Sequence, residues 1–216
     1  MTTTAGADDG SALDESLVAR AVRRRTGDRQ AAAEEEVGRL LEVGLRLMQE
    51  NPAGSPRIAD IVRAAGVSND VFYRAFRGKD DLMAAIADDG ARRLLGYVRH
   101  QRDKGPDAAA QLRACVEAVF SQAADPRIAA TTRAVLRSAA GAQPRAVGVL
   151  SVRDKLAAEL VGPLRALPSQ DPERDALVVA VATFAVMEQF LWGEQVPTTD
   201  DVEHFVAFAL RGVVAA

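Results

Sequence analysis

One short segment combines side chains that can bind a phosphate backbone. Residues 66–79, GVSNDVFYRAFRGK, hold three aromatic and three cationic side chains in fourteen positions, although only 5% of the chain is aromatic. The Tyr73 hydroxyl can contact a phosphate oxygen, and the neighbouring Arg74 guanidinium can reach a phosphate or a guanine edge. Lys79 stands at the start of a further helical pattern, where its ammonium and the first backbone N–H groups can share one phosphate. This spacing therefore favours nucleic-acid binding.

Two short helices joined by a turn are predicted to position this segment. Apolar residues on one side of residues 56–65 predict an amphipathic helix, which Gly66 ends by adopting a left-handed conformation. Val67 is expected to enter the core, and Ser68 is expected to cap a second helix over residues 69–76. A helix, a turn of about four residues containing glycine, and a second helix form the helix-turn-helix pattern.

The second helix of this pair separates into an apolar and a polar face. At helical spacing, the residues that can pack inward are Val71, Phe72, Ala75 and Phe76. The polar stripe consists of Asp70, Tyr73, Arg74 and Arg77. Between Arg57 and Lys79 there are five cations and two acids, so the segment is positive although the chain has a formal charge of -3. The alternative interpretation is a structural helical corner that touches no DNA.

The segment IADIVRAAGVSNDVFYRAFRGKDDLMAAI resembles the DNA-binding domain of TetR-type transcriptional regulators. The resemblance is carried by Ala-Gly-Val-Ser at residues 65–68 and by the spacing of Tyr73, Phe76, Lys79 and Leu82. It implies that phosphates are contacted by Ser68, Tyr73 and Lys79, and that bases are read or approached by Asn69, Asp70 and Arg74. We expect the same patch to add contacts from Ser55, Arg57 and Arg77.

Two features depart from the pattern of that family. The stretch IADIVRAAG is one residue longer than the commonest spacing, and Asp70 places a carboxylate where a small or basic residue is usual. Asp70 either accepts a hydrogen bond from a cytosine amine or points away from DNA. The sequence leaves both alternatives open.

Helical patterns cover the remainder of the chain. Apolar residues that recur every three or four positions predict further helices over residues 34–51, 80–102, 107–123, 126–140, 144–167, 172–192 and 200–214. A capping oxygen precedes a proline at three helix starts, Ser55-Pro56, Asp125-Pro126 and Asp171-Pro172. Pro163 is expected to kink or split its helix. No alternating β-branched pattern occurs, so the predicted fold class is all-α with about nine helices.

The predicted helices follow a basic N-terminal segment and divide into two domains. Residues 1–33 are interpreted as a flexible basic arm, because a single acid lies among Arg20, Arg23, Arg24, Arg25 and Arg29. A solvated tail is favoured there over an arm that follows the minor groove. Residues 34–81 are expected to form a three-helix DNA-binding domain, and residues 82–216 a helical domain. By the family resemblance, the second domain dimerises and binds a small-molecule effector.

Apolar surface supplies the candidate residues for effector binding and dimerisation. An apolar or amphipathic effector is expected among the middle helices, against Phe120, Arg133, Leu136, Phe184, Met187 and Trp192. For Met187 and Trp192, a place in the core or interface is the favoured alternative. The last two helices carry more apolar surface than one protomer can bury, which favours a four-helix bundle between two copies. We expect this homodimer interface to include Val179, Val186, Phe190, Phe205, Phe208 and Leu210.

Composition narrows the possible function classes. The acidic total charge argues against a surface that binds nucleic acid throughout. Cys115 is expected in the core, His100 and His204 are interpreted as ordinary surface or interface residues, and no cofactor or metal site is predicted from the spacing of these residue types. The N-terminus lacks an export pattern, and the apolar stretch at 176–187 is shorter than the roughly 20 residues of a membrane span, which predicts a cytoplasmic protein without a membrane segment.

The sequence favours a ligand-responsive regulator, a repressor that binds a palindromic double-stranded DNA operator as a dimer and is released by its effector. In such a dimer, two DNA-binding helices about 34 to 36 Å apart would fit successive major grooves of the duplex. The alternative is a helical adaptor or co-regulator that binds a protein partner, in keeping with the acidic total charge and Asp70 on the polar face. An enzyme is not expected, because no phosphate-cradling glycine loop, nucleophile motif or metal cluster occurs.

Overall fold

The computed structural model describes residues 17–51, 56–140 and 147–214, which form nine helices and no strand. In chain order the helices are α1 (Leu17–Glu50), α2 (Ile58–Ala65), α3 (Asn69–Ala75), α4 (Lys79–Arg102), α5 (Ala108–Ala124), α6 (Pro126–Ala140), α7 (Val147–Ala166), α8 (Pro172–Trp192) and α9 (Thr199–Val214). The predicted all-α fold class is confirmed.

Two apolar clusters hold these helices together, and α4 and α6 contribute to both. The first cluster lies among α1, α2, α3, the N-terminal half of α4 and Ala134 of α6, and its fully buried side chains are Leu40, Ile61, Phe72 and Leu82. The second joins the C-terminal half of α4 to α5–α9, and its fully buried side chains include Val98, Leu112, Leu164, Ala180 and Val206. One continuous helix, α4, therefore links the two clusters.

The first helix begins earlier than its apolar pattern predicts. The pattern indicated a start at Glu34, but α1 already includes Leu17, and residues 23–35 are exposed along it. Alanine and arginine are good helix formers, so a segment rich in both can extend a helix that packing has nucleated. Periodicity missed this extension because an exposed stretch of helix needs no apolar face.

Two of the three predicted proline-associated caps are confirmed. The carboxylates of Asp125 and Asp171 accept hydrogen bonds from backbone N–H groups of the following turn, at 2.7 Å and 3.1 Å. The predicted helix start at Pro56 is wrong, because α2 begins at Ile58. Its expected cap, Ser55, lies outside the described residues.

The seventh helix continues through Pro163, so the expected split does not occur. Pro163 lacks the N–H that would donate to the Glu159 carbonyl one turn earlier. Arg102, at the end of α4, donates to that carbonyl instead at 3.3 Å and also forms an ion pair with the Glu159 carboxylate. The helix stays continuous because a neighbouring helix satisfies the carbonyl that proline leaves without a partner.

One helix, α8, is long and apolar enough to pass a composition test for a membrane span, with a mean hydropathy of 1.5. Several of its side chains pack in the second cluster, among them Ala176, Ala180, Phe184, Met187 and Leu191. The core helix of a soluble protein passes the same test, so α8 does not by itself indicate a membrane protein.

Candidate functional site

A glycine ends α2 and sets the direction of the next helix. Gly66 has φ 65 and ψ 31, in the left-handed region, and its N–H donates to the Arg63 carbonyl at 3.3 Å. The N–H of Val67 donates to the Val62 carbonyl at 3.2 Å. Together these bonds form a Schellman motif, which closes α2 and turns the chain toward α3. The predicted left-handed conformation of Gly66 is confirmed.

Buried aromatic side chains anchor α3 and leave Tyr73 at the surface. Ser68 Oγ accepts a hydrogen bond from the Val71 N–H at 3.3 Å, so the predicted cap is confirmed. Phe72 is fully buried in the first cluster, and its ring centroid lies 5.7 Å from that of Phe76. Tyr73 packs edge-on against Phe72 at 5.3 Å, yet 58% of Tyr73 is exposed. The core fixes the helix while the Tyr73 side chain remains accessible.

Most of the predicted DNA-binding side chains that the structure describes lie on the surface of α2, α3 and the segments that flank them. Exposed residues are Arg57, Ser68, Asn69, Asp70, Tyr73, Arg74 and Arg77, and Lys79 is half-buried. The predicted contact Ser55 lies outside the described residues. The prediction that Ala75 packs inward is wrong: Ala75 is exposed at the end of α3. Phe76 then enters the core from an extended backbone conformation, with φ -134 and ψ 135, instead of from a helical face.

Four cations carry the positive charge of this surface. Arg63 is neutralised by Asp60 at 2.7 Å. No ion pair within the described ranges involves Arg57, Arg74, Arg77 or Lys79. The Arg74 Nε atom donates to the Asp70 carbonyl at 3.3 Å, which holds the guanidinium along the exposed side of α3. A duplex at this surface would therefore meet Tyr73 and the Nη atoms of Arg74 on the same helix.

An acid fixes the turn from α3 into α4. The Arg77 N–H donates to the Asp81 carboxylate at 3.1 Å, and α4 begins at Lys79, one residue before the predicted start. Asp80 and Asp81 lie in the first turn, where negative charge is stabilised by the helix dipole. A phosphate at this helix end would approach both carboxylates, so its attraction depends on the Lys79 ammonium more than on the backbone N–H groups.

Four of the expected effector-binding residues are brought together by the C-terminal helices. Phe120, Phe184 and Met187 are buried in the second cluster, and Leu136 packs against it. The Phe120 ring lies 6.1 Å from that of Phe190. This part of the fold is an apolar interior to which α5, α6 and α8 all contribute.

The other two expected effector-binding residues, one on α6 and one on α8, lie near the C-terminal end of α8. Arg133 of α6 donates to the Leu191 carbonyl at 3.1 Å. Trp192 is exposed, and the Arg137 guanidinium lies 5.6 Å from the centroid of its ring, within the range of a cation–π interaction. The structure therefore does not bring Trp192 together with the buried residues.

Two of the expected dimer residues cannot lie in a surface interface. Val179 and Phe205 are buried in the core of the protomer, and the Phe205 ring lies 5.5 Å from that of Phe120. Three others, Val186, Phe190 and Leu210, are partly buried against the same core. Only Phe208 among the six is an exposed side chain.

A different side of α8 presents the exposed apolar surface. Leu177, Val178 and Val181 recur at helical spacing and are exposed. Sequence reasoning missed these residues because α8 is apolar on nearly every side, so periodicity gives no signal for which side faces the protomer core. Polar residues on one side of the helix would have supplied that signal.

Outside the helix-turn-helix, the described residues with reactive side chains are one cysteine and two histidines. Cys115 is buried in the second cluster as predicted, and burial raises the pKa of its thiol to about 12. The reactive thiolate is therefore scarce at neutral pH. His100 and His204 are exposed. In the part of the chain that the structure describes, no three potential metal ligands form a group.

Comparison with protein families gives a match that coincides with this surface. Residues 40–86 match the family model of bacterial regulatory proteins, tetR family. That range contains α2, the turn and α3 complete, with parts of α1 and α4. No curated protein matches the chain.

Solved structures share the fold over most of the chain. A TetR-family transcriptional regulator from Streptomyces coelicolor is 24% identical, with a TM-score of 0.64 over 86% of this chain and 95% of that one. A TetR-like transcriptional regulator from Rhodococcus sp. RHA1 is 23% identical, with a TM-score of 0.59 over 82% and 94%. The fatty acid degradation regulator FadR from Bacillus halodurans is 18% identical, with a TM-score of 0.62 over 81% and 98%. At these identities the likeness shows the fold.

Proposed function

We propose, from the premise that the chain belongs to the TetR family of transcriptional regulators, that it binds a palindromic DNA operator as a homodimer and that a small molecule releases it. In this proposal residues 34–81 bind DNA, and residues 82–216 bind the effector and the second protomer. The regulator is a soluble cytoplasmic repressor, and it needs no catalytic step.

The observation that carries the proposal is the division of α3 into a buried and an exposed side. Phe72 holds the helix in the first cluster, while Tyr73 and Arg74 lie beside each other at the surface. A helix of this width fits the major groove, where the tyrosine hydroxyl can position the protein on a phosphate. Arg74 can then reach a phosphate or a guanine edge. Asp70, exposed one turn before Arg74, would accept from a cytosine amine.

The exposed apolar side of α8 supports a two-fold dimer. Leu177, Val178 and Val181 on α8 and Phe208 on α9 expose apolar surface that one protomer leaves uncovered. Two copies related by a two-fold axis would cover it by packing the same helices together. A dimer of this kind presents two copies of α3, which read two half-sites if they lie about 34 to 36 Å apart.

The shared helix α4 supports control by an effector. The second cluster, with Phe120, Phe184 and Met187, is the proposed place for an apolar or amphipathic ligand. Leu95 and Val98 of α4 belong to that cluster, whereas Leu82 belongs to the first. A ligand that favours one packing of the second cluster shifts α4 and changes the separation of the two reading helices.

Selection of DNA from a random pool tests this function. The wild-type protein is incubated with random-sequence duplexes, bound duplexes are amplified over several rounds, and the enriched sequences are read. The proposal predicts a pseudo-palindrome that the wild type enriches and that the Tyr73→Ala, Arg74→Ala variant does not. Failure of the wild type to enrich any sequence at low salt would contradict the proposal and favour a helical adaptor that binds a protein partner.

A further inference from the structure

The N-terminal part of α1 is a helical extension that precedes the residues packed in the first cluster. Val37 is the first residue of α1 that packs against the first cluster, and residues 23–35 are exposed. The helix therefore continues ahead of Val37, and its exposed residues 23–35 alone span about 20 Å at 1.5 Å per residue. Residues 23–35 belong to neither apolar cluster, so packing within the protomer does not account for them.

The extension is strongly basic toward its outer end. Residues 20–29 contain five arginines and one aspartate, a net charge of +4 in a chain of net charge -3. The acids Glu34, Glu35 and Glu36 lie at its base, where Glu35 pairs with Arg39 at 3.3 Å and Glu34 accepts a hydrogen bond from Gln30 at 3.0 Å. The positive charge is therefore concentrated at the part of α1 that is farthest from the body.

The other end of α1 shows which way the extension points. Gln49, near the C-terminal end of α1, donates a hydrogen bond to Thr131 of α6, and Met48 is buried in the same cluster as Ala134 of α6. α2 and α3 pack along the middle of α1, around Leu40. A continuous helix with its C-terminal end on α6 must direct its N-terminal end away from the C-terminal helices. The arginines thus lie toward the end of the molecule that carries α2 and α3.

We infer that residues 20–29 of α1 form a second DNA-binding surface, which contacts phosphates of the duplex beside the operator. The inference rests on the proposed function, because it needs α3 to bring the duplex to this end of the molecule. At 3.6 residues per turn, Arg24 lies on one side of the helix and Arg25 and Arg29 lie on another, a distribution that suits sequence-independent phosphate contacts.

Charge and composition favour DNA over a protein partner at this surface. Residues 23–30 include no apolar side chain, and the apolar residues Leu17, Val18, Ala21 and Val22 precede this cationic stretch in the sequence. A helical protein partner needs an apolar stripe along the helix, whereas a phosphate backbone needs only accessible cations.

Two charge-matched variants of the full-length protein test the inference. The first replaces Arg24, Arg25 and Arg29 of the extension by glutamine, and the control makes the same change at Arg92, Arg165 and Arg174. The control arginines are exposed and belong to α4, α7 and α8, away from the extension. Glutamine resembles arginine in helix propensity, so α1 is expected to remain helical in the first variant, which circular dichroism verifies.

Binding of each variant to the selected operator and to a random duplex is measured by fluorescence anisotropy at several salt concentrations. Each phosphate contact contributes about 0.9 to the slope of log K against log salt. The extension variant is expected to lose about 2 units of slope per dimer if one arginine per protomer binds, and about 5 if all three bind. It is expected to lose affinity for both duplexes, because phosphate contacts are independent of sequence.

An extension variant whose slope equals that of the control would overturn the inference. If Tyr73→Ala still abolishes operator selection in that case, the proposed function stands and only the second surface is rejected. If the wild-type protein enriches no DNA at all, the proposed function fails and the inference fails with it.

Discussion

Gly66 and Ser68 set the orientation of α3 through local backbone chemistry. Gly66 takes a left-handed conformation and Ser68 accepts the first hydrogen bond of α3. Both could be predicted because residue type alone decides them: glycine tolerates positive φ, and a serine hydroxyl satisfies an N–H of the first turn. The exposure of Ala75 could not be predicted, because it depends on how the buried ring of Phe76 draws the chain out of the helix.

Replacing Gly66 by alanine is expected to lower the free energy of unfolding by about 1–2 kcal/mol, because a side chain is strained at this φ. Gly38→Ala is the matched control, since an added Cβ there meets nothing within 4 Å and alanine favours the helix by up to about 1 kcal/mol. Urea unfolding of both variants measures the difference. Equal stability of Gly66→Ala and the wild type would show that the turn is not fixed as described.

The Cys115 thiol is expected to resist alkylation in the native protein. Burial raises its pKa to about 12, so almost no thiolate is present at pH 8. Because the folded pKa is raised, the contribution of this group to stability is complete below the unfolded pKa of about 8.5 and is lost as pH rises toward 12. Mass spectrometry after iodoacetamide treatment at pH 8 should find adduct only in urea. Rapid modification without urea would contradict the buried position.

At the scale of elements, the helix boundaries follow from sequence wherever caps and apolar stripes act together. Asp107, Asp125 and Asp171 mark helix starts that the structure retains. The sequence could not show the continuity of α7, because a proline inside a helical pattern predicts a kink or an end. The side chain that donates to the Glu159 carbonyl in place of the Pro163 N–H comes from α4, which is distant in sequence. The crossing of α4 and α7 at Arg102 is thus a property of tertiary structure.

Substitutions of Arg102 and Pro163 are expected to have coupled effects on stability. Arg102→Met is expected to lower the free energy of unfolding by about 2 kcal/mol, because the Glu159 carbonyl loses its hydrogen-bond donor. The Glu159 carboxylate still forms its ion pair with Arg99, at 3.5 Å. In a Pro163→Ala background, the new backbone N–H can bond that carbonyl, so the same change costs less. A double-mutant cycle by urea unfolding should give a coupling of at least about 0.5 kcal/mol. Strict additivity would mean that Arg102 does not replace the proline N–H.

For the whole molecule, the all-α class and the helix-turn-helix could be predicted, whereas the side of α8 that a partner would cover could not. The two clusters share α4, so the proposed effector site and the proposed DNA surface are parts of one packed unit. Val179 and Phe205 were expected in the dimer interface but are buried within the protomer. Helices that are apolar on several sides do not reveal from sequence which side is internal.

A single charge on the exposed side of α8 is expected to separate the dimer. Val178 is 65% exposed on α8, and Val196, which is 58% exposed, follows the helix and serves as the control. Val178→Glu would place two carboxylates in the proposed two-fold interface and should give monomers, whereas Val196→Glu should remain dimeric. Sedimentation velocity at micromolar concentration distinguishes the two species. A dimer that persists in Val178→Glu would place the interface elsewhere.

Reading of DNA by α3 is tested most directly by the two tyrosines of the chain. Tyr73 is 58% exposed on α3, and Tyr97 is 44% exposed on α4, away from the helix-turn-helix. Each is replaced by alanine, and affinity for the selected operator is measured by fluorescence anisotropy at fixed salt. Removing a hydrogen bond to a charged phosphate in both protomers is expected to weaken binding about 100-fold or more in Tyr73→Ala, with Tyr97→Ala unchanged. Equal affinity of the two variants and the wild type would contradict the account that α3 is the reading helix.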